Sequence, residues 1–229
     1  MKWILMPYAG ASKYSYEFFS PHVPAGVTMV AVDMPGRGER VAEERLTNIH
    51  LMADDAFRQF QQKQHFTEPY VLYGHSMGAL LALLLAYRIQ EAGLPMPRHL
   101  FVSGRHGAAV RDERQYHLLS RAAFVEKLMQ FDPSAKALLE NEMFLDMFEP
   151  IFRADFMAHE TYQHPAEAQP LPIPITALIG TEDYTQPELT RQWAAQTTGP
   201  FQLHEWSGSH FFIREHASKV AGLVLEALR

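Results

Sequence analysis

The sequence predicts an α/β fold, a mostly parallel sheet of about six strands flanked by helices, and three observations carry that prediction. Short apolar runs alternate with segments of helical spacing along most of the chain, the pattern of βα units rather than of hairpins. One such run, Tyr70 to Tyr73, passes through Gly74-His75-Ser76-Met77-Gly78 straight into LLALLLAYRIQ. A buried strand, a sharp turn and an apolar helix thus follow one another without a linker. The chain has 229 residues, enough for one sizeable core. A single domain over 1–229 is therefore expected, with one helical insertion at about 112–172.

Lys2 to Met6 reads as the first strand, ended by Pro7 and followed by the small-residue loop Tyr8-Ala9-Gly10-Ala11-Ser12, whose backbone N–H groups can point into a site. Val27 to Val32 is the second strand, closed by the turn-rich Asp33-Met34-Pro35-Gly36-Arg37-Gly38. Ile49 to Gln64 carries Leu51, Met52, Ala56, Phe57 and Phe60 at helical spacing. Tyr70 to Tyr73 is the third strand. His99 to Ser103, Pro174 to Ile179 and Phe201 to Trp206 are the fourth, fifth and sixth, and Ala217 to Leu228 forms the last helix. Between the fourth and fifth strands, Asp112 to Pro172 has no strand signal and many large apolar side chains. Asp132-Pro133 separates one helix from another there. Most of these apolar residues are expected to pack. A helical insertion above the carboxyl ends of the strands is also where a substrate-covering lid sits, and its Met and Phe side chains can repack around an acyl chain.

Composition narrows the function. Apolar residues make up 47% and charged residues 20%, as in a globular protein. The net charge of −6 without a long basic run argues against nucleic acid or an anionic membrane as a partner. The absence of cysteine excludes a disulfide framework, a thiol nucleophile and thiolate metal sites. The N-terminus MKWILMPYAG is interrupted too early for a signal peptide, and no apolar stretch of roughly 18 residues occurs. The sequence reads as that of a cytoplasmic protein, with a monomer as the default. No histidine–carboxylate cluster has metal-ligand spacing, and no cofactor is expected.

The G-x-S-x-G turn holds its central residue in a strained conformation that exposes the hydroxyl at the positive end of the next helix. A serine needs a base within reach and a third group to orient that base. Asp183 follows the fifth strand and His210 the sixth, so Ser76, Asp183 and His210 stand at strand ends in the order serine, acid, histidine. Asp155 and Glu182 are fallback acids. His75 is expected to point elsewhere, and His106, His117, His159, His164, His204 and His216 to be surface or packing residues. The tetrahedral oxyanion needs two donors. The N–H of Met77 is one, and Ala9 is the choice for the second, with Gly10 close behind.

Six segments together resemble the type II thioesterases, α/β-hydrolases that accompany nonribosomal peptide and polyketide synthetases. They are Pro7 to Ser12, Asp33 to Arg40, Gly74 to Gly78, Arg153-Ala154-Asp155-Phe156 with Tyr162, Gly180-x-x-Asp183 with Trp193, and His210-Phe211-Phe212. The serine elbow marks only the superfamily; the P-G-R-G-x-R segment and the His-Phe-Phe ending are more specific. The resemblance implies a hydrolase that removes wrong or stalled acyl groups from the phosphopantetheine arm of carrier proteins through an acyl-serine intermediate. It places the family's serine, acid and histidine on Ser76, Asp183 and His210, and needs no metal or organic cofactor. Arg37, Arg40 and Arg105 are candidates to meet the arm's phosphate or an acidic carrier surface. Two departures stand out. Ala11 occupies a position where the family usually has glycine, which can narrow the entrance or shift the oxyanion donor. The chain also begins almost at its first strand, without the two leading strands of larger hydrolases, so a small sheet with an edge near the site is expected. A small-molecule carboxylesterase or lipase with the same triad is the alternative, and a noncatalytic module with an inert Ser76 is the third reading.

Overall fold

The computed structural model describes residues 1–229. Six strands, β1 (Lys2–Met6), β2 (Thr28–Ala31), β3 (Tyr70–His75), β4 (Leu100–Ser103), β5 (Ile175–Gly180) and β6 (Phe201–Trp206), form one sheet in the order β2-β1-β3-β4-β5-β6. Every pairing is parallel. The helices are α1 (Ile49–Gln62), α2 (Met77–Glu91), α3 (Arg121–Phe131), α4 (Lys136–Leu139), α5 (Glu142–Glu160), α6 (Pro187–Thr190), α7 (Phe212–Glu215) and α8 (Ala217–Leu228). The strands lie where the sequence places them, to within a residue or two at their ends.

The continuous apolar runs follow from burial of both faces. Ile4, Met6, Tyr70 and Leu72 join α1 and α2 in one core cluster. Their neighbours Trp3, Leu5, Val71 and Tyr73 join Phe19 and α8 in another. Asn48 caps α1 by accepting hydrogen bonds from the N–H groups of His50 and Leu51, which offsets two of the donors a helix start leaves unpaired. Leu51, placed by its spacing on the packed face of α1, is 53% exposed instead. Two residues beyond Ile49 falls away from the stripe that Met52, Ala53, Ala56 and Phe60 bury.

The strand order reverses beside β1, whose neighbours are β2 and β3. In such a sheet, loops leaving the strands on either side of the reversal diverge and open a crevice at the carboxyl edge. The loop after β1 therefore faces the turn after β3, with Met6 in register with Gly74. At that turn Ser76 has φ 54° and ψ −119°, outside the regions open to L-residues. Glycine on both sides is a packing requirement. A Cβ on Gly74 would stand 1.9 Å from the Gly78 carbonyl oxygen, and one on Gly78 would stand 2.4 Å from that of Met6.

Between β4 and β5 the chain is helical, as expected, and its helices enclose a small core of Phe124, Leu128, Leu139, Leu145 and Phe156. The packing expected of its apolar residues is incomplete. Leu118, Met143 and Met147 are more than half exposed, because the insertion has one buried face and its periodicity does not say which residues it presents outward.

Two stability predictions follow from this architecture. Positive φ at residue 76 costs about 1–3 kcal/mol for a residue with a Cβ, more than the roughly 0.4–1 kcal/mol that glycine's freedom adds to the unfolded chain. Ser76→Gly should accordingly melt about 2–4 °C above Ser76→Ala; equal Tm values by calorimetry would show the elbow to be unstrained. Burial holds His65, His75, His99 and His159 below their ordinary value of 6.5, with His65 and His99 lowered to about 4. The unfolded chain binds these protons near pH 6.5 and the folded chain does not, so protonation favours unfolding. Stability should be full above pH 6.5 and fall as the pH drops towards about 4, with His99→Gln flattening the fall in Tm.

Candidate active site

Three strand ends converge on the elbow. Asp183 lies in the turn after β5, and His210 in the loop after β6. His210 Nδ1–H donates to the Asp183 carboxylate, 3.0 Å from Oδ1 and 3.1 Å from Oδ2. That bond leaves Nε2 as the free nitrogen of the ring. Asp183 also accepts from the N–H of Tyr184 at 2.7 Å and the hydroxyl of Thr185 at 3.0 Å. Burial alone would raise its carboxyl, but the hydrogen bond and charge of His210, with Thr185 and the Tyr184 N–H, hold it below the usual carboxylate range. Ser76 and His210 line one cavity of about 240 Å³. Ser76 Oγ makes no hydrogen bond within the protein, leaving it free for an approaching group. Catalytic contacts of this kind commonly tighten only when substrate binds.

The loop after β1 separates the two candidate oxyanion donors. Gly10 N–H donates to Asp155 Oδ2 at 2.7 Å and is thereby committed. Ala9 N–H makes no backbone bond, and Ala9 lines the cavity beside Ser76. Met77 opens α2, where the first-turn amides lack a partner inside the helix. Ala11 does not line the cavity. It is 1% exposed, its N–H donates to the carbonyl of Tyr8, and its carbonyl accepts from Arg37.

The two fallback acids are elsewhere. Asp155 is fully buried in a bidentate pair with Arg37, at 2.6 and 2.5 Å. Glu182 is exposed beside the turn. Two histidines belong to the site that the sequence assigned to packing or pointed away. His159, on α5, lines the cavity. His75 does not point away: its ring lies 4.7 Å from that of His210, with Nδ1 bonded to Ser103 Oγ at 2.9 Å. Burial, followed by the charges of His210 and Arg214, lowers the His75 pKa far enough to keep it neutral, so it supports the neighbouring ring without adding charge. All six residues of β3 are buried, so its last residue, His75, turns inward with the rest of the strand.

The insertion covers one side of the cavity. Leu128, Phe131, Leu139, Phe144, Phe152 and Phe156 supply half of its apolar lining. Phe131 stands 5.2 Å from the His210 ring, and Asp132 accepts from Arg214 at 2.7 Å, joining the end of α3 to the segment after His210. Of the three arginines considered for an anionic partner, Arg37 is spent on Asp155, and Arg40 is held by Asp55 and Glu43. Arg105 alone has no carboxylate partner, and its buried Nε meets no acceptor.

The family model described as a thioesterase domain matches residues 2–228. The probable cadicidin biosynthesis thioesterase of Streptomyces griseus is 32% identical over 98% of this chain, which spans 62% of that protein's length. Among solved structures, the RedJ thioesterase from the prodiginine pathway of Streptomyces coelicolor is 31% identical, with a TM-score of 0.91 over 99% of this chain and 85% of its own. The type II thioesterase BorB from the borrelidin biosynthetic cluster is 34% identical, with a TM-score of 0.90 over 100% of this chain and 92% of its own. With a parallel sheet, a serine elbow and an insertion over the strand ends, the chain belongs to the thioesterase family, and within it to the type II thioesterases, thioester hydrolases of the α/β-hydrolase fold that serve nonribosomal peptide and polyketide synthesis.

Proposed function

We propose that Ser76, His210 and Asp183 hydrolyse acyl thioesters held on the phosphopantetheine arm of carrier proteins, removing stalled or wrong acyl groups. The observation that carries the reading is a single cavity in which the half-buried Ser76, the Asp183-bound imidazole and an apolar wall from the insertion meet. Ser76 Oγ attacks the thioester carbonyl while His210 Nε2 takes its proton. The Met77 and Ala9 N–H groups receive the oxyanion. The C–S bond then breaks, the carrier's thiol leaves with the proton from His210, and the acyl group stays on Ser76. Water, deprotonated by His210, attacks the acyl-serine and releases the carboxylic acid, returning the hydroxyl to Ser76. Asp183 stays ionised throughout and holds the imidazolium.

The insertion acts as the lid of this site, and its aromatic wall suits an apolar acyl group better than a polar one. Arg105 is the arginine left to meet the arm's phosphate, since it lines a second cavity that shares Arg114 and Tyr184 with the first. Carrier-protein partners and a cytoplasmic setting accord with this chemistry, and no helix is long and apolar enough to cross a membrane.

A panel of one acyl group on a phosphopantetheinyl carrier protein, on free pantetheine and as a p-nitrophenyl ester tests the reading. Carrier-bound thioester should be cleaved with the highest kcat/KM. Equal or faster cleavage of the oxygen ester would move the activity to a general esterase. Ser76→Ala and His210→Ala should each lower kcat by at least about 10³-fold with the fold intact, because triad members act as a unit. A folded Ser76→Ala enzyme retaining a tenth of the wild-type rate would remove Ser76 from the role.

A further inference from the structure

The Arg37–Asp155 pair lies 118 residues apart in the chain and is nearly sealed from solvent, at 3% and 0% exposure. Neither residue lines the catalytic cavity. One carboxylate oxygen, Asp155 Oδ2, accepts from both Arg37 Nη1 at 2.6 Å and Gly10 N–H at 2.7 Å. Arg37 Nη1 also donates to the Ala11 carbonyl at 3.2 Å. The ion pair therefore grips the loop after β1 at two successive residues, immediately after the candidate oxyanion donor Ala9. We infer that Asp155, held by Arg37, is a positioning residue that sets the Ala9 N–H in the oxyanion site and ties its placement to the seating of the lid helix α5.

The geometry gives the reason. The Ala9–Gly10 peptide is planar, so fixing the direction of Gly10 N–H fixes the plane that follows Ala9 and limits how Ala9 can turn its own N–H. Gly10 sits at φ 78°, a conformation with several soft alternatives for glycine, so the loop needs an external restraint. That restraint comes from α5 and not from the sheet. Asp155 supplies the acceptor, and Phe152, one turn earlier, fills the space beside Gly10 so closely that a Cβ there would lie 1.9 Å from its ring. Both contacts to Gly10 thus travel with the insertion. Arg37 supplies the counter-charge that lets a carboxylate sit in this buried place and keeps Oδ2 turned to the loop. A lid displaced by an entering acyl arm loosens Ala9; a lid seated over a bound acyl group restores it, so oxyanion stabilisation is greatest when the substrate is covered.

The inference rests on the acyl-transfer part of the proposed function, and its test uses a p-nitrophenyl ester so that it stands apart from the carrier-protein part. Asp155→Ala removes the acceptor. The double variant Arg37→Met/Asp155→Leu replaces the pair by apolar side chains, a change that buried pairs commonly tolerate without loss of fold. Deleting an oxyanion donor outright lowers kcat by about 10²–10³-fold, and misplacing one should lower it by about 10–100-fold. We expect that loss in both variants with KM within about threefold of wild type, and an equal loss of affinity for an alkylboronic acid, which forms a tetrahedral adduct on the nucleophile. Binding of the product carboxylic acid, which makes no such adduct, should change little. A folded double variant with wild-type kcat and wild-type boronate affinity would overturn the inference, as would a loss carried wholly by KM. Failure of the carrier-protein reading would appear separately, as a wild-type enzyme that cleaves the ester and leaves the carrier thioester intact.

Discussion

The constraint on which the rest of the molecule depends is the closeness of three backbones at the end of β3. Gly74 lies against the Gly78 carbonyl, and Gly78 against that of Met6, with no room for a single added carbon at either place. Only that approach lets β3 turn directly into α2, and only that turn lifts Ser76 out of the sheet at positive φ. The cost of the strained residue is met by what surrounds it: α2 buries eleven of its fifteen residues, and β3 all six. Each large aliphatic side chain so buried contributes about 1.5–3 kcal/mol. A heavily buried strand–helix unit can hold a conformation that a loop would relax.

Around that unit the sheet's strand order does the placing. Because the order reverses at β1, the loop carrying Ala9 stands across from the elbow, and β4, β5 and β6 follow on the other side in chain order. From successive strand ends, His210 then comes to line the cavity with Ser76, and Asp183 holds the far side of its ring. The insertion between β4 and β5 completes the site from above. It touches His210 through Phe131, its loop through Asp132 and Arg214, and the loop after β1 through Phe152 and Asp155. A cover that contacts the machinery at three places is poorly described as a separate flap. Its apolar inner wall and its polar anchors are parts of one surface.

Much of this was legible in the sequence because the physics involved is local. Strands buried on both faces are unbroken apolar runs, and the elbow needs glycine at fixed offsets from the serine. The proposed order of serine, acid and histidine follows from one loop per strand. What was not legible depends on contacts between distant residues. Nothing near Arg37 or Asp155 says that they pair, and Asp155 read as a fallback acid. Arg40 likewise resembled a free cation until Asp55 and Glu43 closed on it. His75 and His159 were hidden among twelve histidines, since a residue type alone carries no direction. The apolar spacing of the insertion showed that it is helical but not that Met143 and Met147 face solvent, because an amphipathic pattern fixes a face only once its partner surface is known.

If Ser76 carries the acyl group between the carrier's thiol and water, rapid-quench mass spectrometry of the enzyme mixed with an acylated phosphopantetheinyl carrier protein tests it most directly. A transient mass increase equal to the acyl group is expected, mapped to the peptide containing Ser76, appearing as the carrier loses the same mass and decaying as free acid forms. Deacylation of the carrier with no adduct at Ser76, and at an undiminished rate in Ser76→Ala, would contradict it.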